Sequence, residues 1–132
     1  MGVLQRLLRR KAVPAVVYDP ADPSLVVLVE AFQAARADSE VLGEAAGRGV
    51  DLGPPLLVRH HLLGLPQDRL GRAAELLGQD GYTVVQVRPG LVHASRTQVL
   101  TALSASQERS RMAGLAQRLG GDVGGWDALR PS

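Results

Sequence analysis

The residues of this sequence best suited to chemistry are its histidines, at positions 60, 61 and 93. An imidazole can bind a metal ion or exchange a proton near neutral pH. His60 and His61 are neighbours in a predicted strand, so their side chains point to opposite faces and cannot bind one ion together. His93 is then a lone third candidate. We predict no metal site, and a structural role for His60 on the core face with Val58 and Leu62, where a neutral imidazole needs a hydrogen-bond partner.

Serine nucleophiles and phosphate-binding loops are the other routes to catalysis. The serines of "ADSEV" and "SASQERS" lack a G-x-S-x-G elbow, and neither glycine-rich nucleotide-binding pattern occurs. Asp122 and Asp127 flank the only tryptophan, Trp126, but their glycine-rich setting predicts turn and solubility residues. The sequence therefore predicts no enzyme, no catalytic residue and no cofactor.

Composition predicts one intracellular domain. A chain of 132 residues can bury a stable core without disulfides or a bound metal. The absence of cysteine excludes disulfides and thiolate metal sites. No apolar run reaches the roughly 18 residues that span a bilayer, so we expect a cytoplasmic protein and no membrane partner. The net charge of +2, carried almost entirely by arginine, gives little drive toward nucleic acid.

The first third of the chain is the hardest to assign. We divide it into an N-terminal extension, residues 1–33, and a domain at 34–132. The extension holds a basic start at residues 1–11, which is short for a helix in water, and a short strand at Val16–Tyr18. Apolar residues from Leu25 onward recur at helical spacing, and from them we predict a helix that runs to about Gly47, although the valines would also suit a strand.

From residue 56 the pattern is clearer. "LLVRHHLL" predicts a strand, residues 66–81 an amphipathic helix, and "YTVVQVR" and "LVHASRTQVLT" a hairpin around Pro89-Gly90. Ser104 with Gln107 suggests a capping box for a second helix, and a short strand carrying Trp126 follows Gly120-Gly121. This order predicts an α+β, ferredoxin-like βαββαβ sandwich, with an antiparallel sheet, two helices on one face, and the N-terminal helix in front.

The segments "VRHHL", "DGYTV" and "LAQRLGGDVGGW" resemble, in order and spacing, the landmarks of the regulator of ribonuclease E activity B (RraB) family. The resemblance covers about residues 35–127. It implies a ferredoxin-like fold and a non-catalytic protein that binds a ribonuclease E/G-type endoribonuclease and restrains it, without cofactor or direct contact with nucleic acid. The chain departs from the family where Gly124 replaces an aspartate before Gly125-Trp126, and it lacks the family's acidic tail.

Two explanations compete for "GGDVGGW": a glycine turn that lets Trp126 close the core, or a loop that presents the ring to a partner. The match of Gly125 and Trp126 to the family favours packing with a partly exposed ring edge. Arg59 and His61 face away from the predicted core. Together with Tyr82 and Trp126 they are the candidate partner-binding residues. A nucleic-acid-binding or general protein-interaction module of the same fold remains the alternative function.

Overall fold

A computed structural model describes residues 16–132 of the chain. The strands are β1 (Leu25–Ala31), β2 (Leu56–Leu63), β3 (Thr83–Arg88), β4 (Leu91–Gln98) and β5 (Asp122–Pro131). The helices are α1 (Asp38–Gly47), α2 (Leu70–Gly78), which follows a 3-10 turn at Gln67–Arg69, and α3 (Ala102–Arg118). The five strands form one sheet in the order β1-β5-β2-β4-β3, and every neighbouring pair is antiparallel. The basic segment at residues 1–11 lies outside the described residues.

The architecture is α+β, as predicted, but the sheet has five strands rather than four. From residue 56 the elements follow the predicted order of strand, helix, strand, strand, helix, strand. The error lies before them, because residues Leu25–Ala31 form β1 and the helix begins only at Asp38. The predicted sandwich with an N-terminal helix is therefore corrected to a sheet with an added edge strand, followed by a ten-residue helix.

The reason for this error is that apolar spacing alone does not separate a short helix from a strand. Three β-branched residues, Val26, Val27 and Val29, favour the extended form, and β5 supplies a partner from Leu25 opposite Pro131 onward. The short strand predicted at Val16–Tyr18 is also wrong, since that segment has no regular structure. The predicted division at residues 33 and 34 falls in the connection between β1 and α1, and it stays a prediction.

The N-cap residue of α3 lies three residues before the predicted one. Thr101 is the N-cap, and its hydroxyl accepts from the Ser104 backbone N–H at 3.0 Å. Ser104 Oγ in turn accepts from the Thr101 backbone N–H at 2.9 Å. Ser104 is thus the third helical residue of a reciprocal box rather than the cap, because a short serine side chain can take the role usually given to Glu or Gln.

The helices cover one face of the sheet. Two clusters of buried side chains lie between them and the strands, one around α1 and Trp126 and one around α2 and α3. Within residues 16–132 the opposite face carries no helix. Part of it is covered instead by the segment before β1, where the Tyr18 backbone N–H donates to Thr97 Oγ1 at 2.9 Å and Pro20 and Ala21 lie near Ser95. On the same face Leu57, Ser95, Asp127 and Leu129 are buried as well, whereas Phe32 and Val85 are exposed.

The stretch "GGDVGGW" runs from the end of α3 into β5 and places Trp126 in the core. Gly120 ends α3 with a φ of +88°, and Gly125 has a φ of +119° within β5. A Cβ on Gly125 would lie 2.3 Å from the Ala31 carbonyl oxygen, so only glycine fits where β1 and β5 meet. Trp126 beside it is 1% exposed, and its Nε1–H donates to Asp38 Oδ1 at 3.1 Å. The packing explanation is confirmed.

Candidate functional site

A polar cluster lies on the open face of the sheet, where three strands bring together side chains from distant parts of the chain. Arg59 and His61 alternate with core residues along β2. His93 on β4 lies opposite His61, and Asp127 on β5 lies opposite Arg59. We call these four residues the open-face cluster. The strand register, which the sequence does not reveal, is what assembles it.

The strongest contact in the open-face cluster is a two-point ion pair. Arg59 donates through Nε to Asp127 Oδ1 at 2.9 Å and through Nη2 to Oδ2 at 2.6 Å. His61 Nε2 lies 3.3 Å from Oδ1 of the same carboxylate. Burial raises the pKa of Asp127, but the hydrogen bonds and charges of Arg59 and His61 outweigh it and hold the pKa below its ordinary value. The hydrogen bond to Asp127 raises the pKa of Arg59.

Two sequence predictions are corrected by this geometry. Asp127 is 3% exposed and is a buried ion-pair partner, not a turn and solubility residue. Arg59 and His61 do face away from the core, but their side chains are only 21% and 17% exposed, because Asp127 and neighbouring side chains partly cover them. Substituting Arg59 therefore changes stability as well as surface chemistry.

A row of two imidazole rings and two exposed apolar side chains crosses the sheet beside the ion pair. Val85 on β3 lies opposite His93, the His93 and His61 ring centroids are 4.2 Å apart, and the Phe32 ring meets His61 edge-on at 4.7 Å. Phe32 and Val85, at the two ends, are 43% and 45% exposed. Burial, with the nearby charges of His61 and Arg59, lowers the pKa of His93 to about 4, so its ring is neutral at pH 7. We call these four residues the cross-sheet row.

The other two candidate residues are on the helix side and are buried. Tyr82 is 5% exposed, and its ring lies 4.4 Å below the Arg96 guanidinium, which also donates to Glu108 Oε1 at 2.5 Å. Trp126 is enclosed by α1 and α3. In this conformation neither ring reaches the surface, so both contribute to packing.

His60 takes the place predicted for it, in the core with Val58 and Leu62. Its Nε2 has no hydrogen-bond partner among residues 16–132, and the nearest carboxylate oxygen, on Glu108, is 3.9 Å away. Burial, reinforced by the nearby Arg96 charge, lowers the pKa of His60 to about 4. The imidazole is therefore held neutral in the folded protein at pH 7.

This burial predicts a loss of stability in acid. Because the folded pKa of His60 is below the unfolded value near 6.5, its stabilising effect is complete above about pH 6.5 and is lost as the pH falls toward 4. We expect it to account for on the order of 3 kcal/mol of unfolding free energy between pH 7 and pH 4. Urea denaturation of wild type and His60→Gln at both pH values measures this. An equal loss in the two proteins would refute the assignment.

Sequence reasoning missed Phe32, Val85 and Asp127 as members of a site. The sequence predicts Phe32 within a helix and Asp127 within a turn. Only Val85 carried a usable signal, since it alternates with inward-facing residues along β3. Among residues 16–132 no group of three or more acidic or histidine side chains is placed to hold a metal ion. No helix in the same range is long and apolar enough to cross a membrane.

Comparison with known proteins gives one match. The family model described as "RraB: Regulator of ribonuclease activity B" matches residues 35–128, which run from the connection before α1 into β5. The match confirms the resemblance noted from the sequence. No curated protein and no solved structure matches the chain.

Proposed function

We propose that this chain, which belongs to the family of regulators of ribonuclease activity B, binds an endoribonuclease of the ribonuclease E/G type and slows its cleavage of RNA. In this proposal the chain acts in the bacterial cytoplasm by occupying a surface of the enzyme, and it hydrolyses no RNA itself. Family membership is the observation that carries the proposal. The fold adds a surface through which such binding could occur.

The cross-sheet row is the surface we assign to this interaction. Protein interfaces combine a central apolar area, often with aromatic residues, and a polar rim. The row has exposed Phe32 and Val85 at its ends and the imidazoles of His61 and His93 between them, and the ion pair of Arg59 with Asp127 borders it. Of the four residues predicted from the sequence, His61 lies in the row and Arg59 lies at its border.

The same features argue against the alternative of a nucleic-acid-binding module. Arg59, which borders the row, already donates through Nε and Nη2 to Asp127. Bases stack on aromatic platforms, and Phe32 is the only phenyl, phenol or indole ring in the row. RNA binding that weakens steeply with added salt would support the alternative, since phosphate contacts release counterions.

Calorimetry with the purified ribonuclease E/G homologue of the same organism tests the proposal. We expect wild type to bind, and Val85→Arg to weaken binding at least about tenfold, because a charge would replace the exposed apolar side chain at one end of the row. Val99→Arg is the matched control, since Val99 is 44% exposed but lies beyond the end of β4, away from the row. Melting temperatures should stay within a few degrees for both variants, as for most surface substitutions.

Equal weakening by the two arginine variants would show that the cross-sheet row is not the contact surface. Absence of binding by wild type would overturn the proposed function itself.

A further inference from the structure

An apolar cleft lies between α3, the first half of β5 and the connection that follows β1. Its volume is about 240 Å³. Among its lining residues Phe32 and Ala34 are exposed, whereas Met112 and Trp126 are almost completely buried. The cleft therefore leads from the surface into the core, beside the only tryptophan of the chain.

The size and lining of the cleft suit a small, mainly apolar molecule. A dry apolar cavity of about 150 Å³ binds benzene. The volume of about 240 Å³ therefore has room for a phenyl ring or a branched aliphatic group with a short polar extension. Apolar residues supply most of the lining, among them Met112, Ala113, Val123 and Trp126. Ligand pockets typically combine such walls with a few polar groups that fix orientation.

Arg109 is the one charged residue among the lining residues that the structure describes. It pairs through Nη2 with Asp38, which is not a lining residue, and makes no other hydrogen bond or ion pair within residues 16–132. Its Nε is buried without a partner in the same range. A guanidinium carries five N–H donors and no acceptor, so most of the Arg109 donors have no partner in this part of the protein.

His60 is a second polar lining residue, and it adds no charge at pH 7. Its side chain is 3% exposed, and burial lowers its pKa to about 4. Its Nε2 has no hydrogen-bond partner within residues 16–132, although buried polar groups are normally satisfied. A guanidinium beside a neutral imidazole favours an anionic group over a cation in the cleft.

We propose that the cleft binds a small carboxylic acid, with an apolar group of about the size of a phenyl ring against Met112 and Trp126 and its carboxylate on the Arg109 N–H groups that Asp38 leaves free. Hydrogen bonds between a guanidinium and a carboxylate are charge-assisted and about twice as strong as neutral ones. The carboxylate therefore orients the molecule, and the apolar lining provides the contact area. The inference does not depend on the proposed function, although Phe32 belongs both to the cleft and to the cross-sheet row.

The test follows binding to the full-length protein by calorimetry and by the fluorescence of Trp126, the only tryptophan. Phenylacetate and 4-methylpentanoate are the probes. Phenylacetamide keeps the shape of phenylacetate without its charge, and acetate keeps the carboxylate without the apolar group. We expect both probes to change both signals in a saturable way, and phenylacetate to bind at least about tenfold more tightly than phenylacetamide or acetate.

Substitutions locate the site. Ala113→Phe and Ala34→Phe fill the cleft from a helix and from an exposed connection, so at least one should fold normally, and each should weaken phenylacetate binding at least about tenfold. Ala74→Phe, at an exposed helical position outside the lining, is the matched control and should bind as wild type does. Arg109→Gln should bind phenylacetate and phenylacetamide equally. That comparison is made within one variant, so it does not depend on the stability of the variant.

Equal binding of phenylacetate and phenylacetamide to wild type would refute the carboxylate site. Undiminished binding to both filled variants would place the probes elsewhere on the protein, and no saturable signal with either probe would show that the cleft does not take this class of molecule. Each of these results overturns the inference. If neither probe binds but Ala113→Phe weakens binding of the ribonuclease E/G homologue, the cleft belongs to the protein interface, and the inference fails while the proposed function stands.

Discussion

Replacing Trp126 with alanine is expected to lower the free energy of unfolding by about 3–5 kcal/mol, the range for deleting a large buried aromatic side chain. The indole is 1% exposed and belongs to the cluster formed with α1. Its loss would also remove the N–H that bonds to Asp38, whose carboxylate is 7% exposed. Urea denaturation at pH 7 measures the change.

Trp126→Phe is the matched control. It keeps most of the aromatic volume and removes the hydrogen bond, so we expect a smaller loss of about 1–3 kcal/mol. Arg109 still pairs with Asp38 in this variant, which limits the cost. Wild-type stability in Trp126→Ala would contradict the packing described for the closing strand.

Replacing Arg59 with alanine is expected to cost about 3–5 kcal/mol, because it leaves the carboxylate of Asp127 buried without its two-point partner. His61 Nε2 remains 3.3 Å from Asp127 Oδ1 and still partly compensates the carboxylate charge. We therefore expect a loss near the lower end of this range. Thermal or urea unfolding gives the value. Arg59 is therefore unsuited to a test of binding alone.

Two controls separate this ion pair from ordinary surface charge. Arg72→Ala breaks an exposed pair with Glu75 and should change stability by less than about 1 kcal/mol. The double variant Arg59→Ala with Asp127→Ala should be more stable than Arg59→Ala alone, since no unpaired buried charge remains. A loss in Arg59→Ala no larger than in Arg72→Ala would show that Asp127 does not depend on Arg59.

Local signals explain how much of the fold could be predicted. From residue 56 onward glycine or proline marks most of the boundaries between elements, and the structure confirms the predicted order. Leu25–Ala31 was mistaken for helix because its apolar spacing suits both forms, and the strand is selected by pairing with β5, almost a hundred residues later. Local propensity carries no information about such a partner.

The site depended even more on distant pairing. Arg59 and Asp127 are 68 residues apart in sequence, and they meet only because β2 and β5 pair in one particular register. A shift of one residue would turn Asp127 toward the helices. Alternation along β2 is enough to place His61 and Arg59 on the outer face. The burial of Tyr82 could not be predicted in this way, because the Arg96 side chain that lies over its ring comes from another strand, β4.

The proposed function is tested most directly by the rate at which the ribonuclease E/G homologue cleaves a test RNA in the presence of increasing amounts of this chain. We expect the rate to fall to a plateau, with a midpoint that agrees with the calorimetric Kd and moves at least about tenfold in Val85→Arg but not in Val99→Arg. The chain alone should leave the RNA intact. A cleavage rate that stays constant at every concentration of the chain, or RNA cleavage by the chain itself, would contradict the assignment of a ribonuclease regulator.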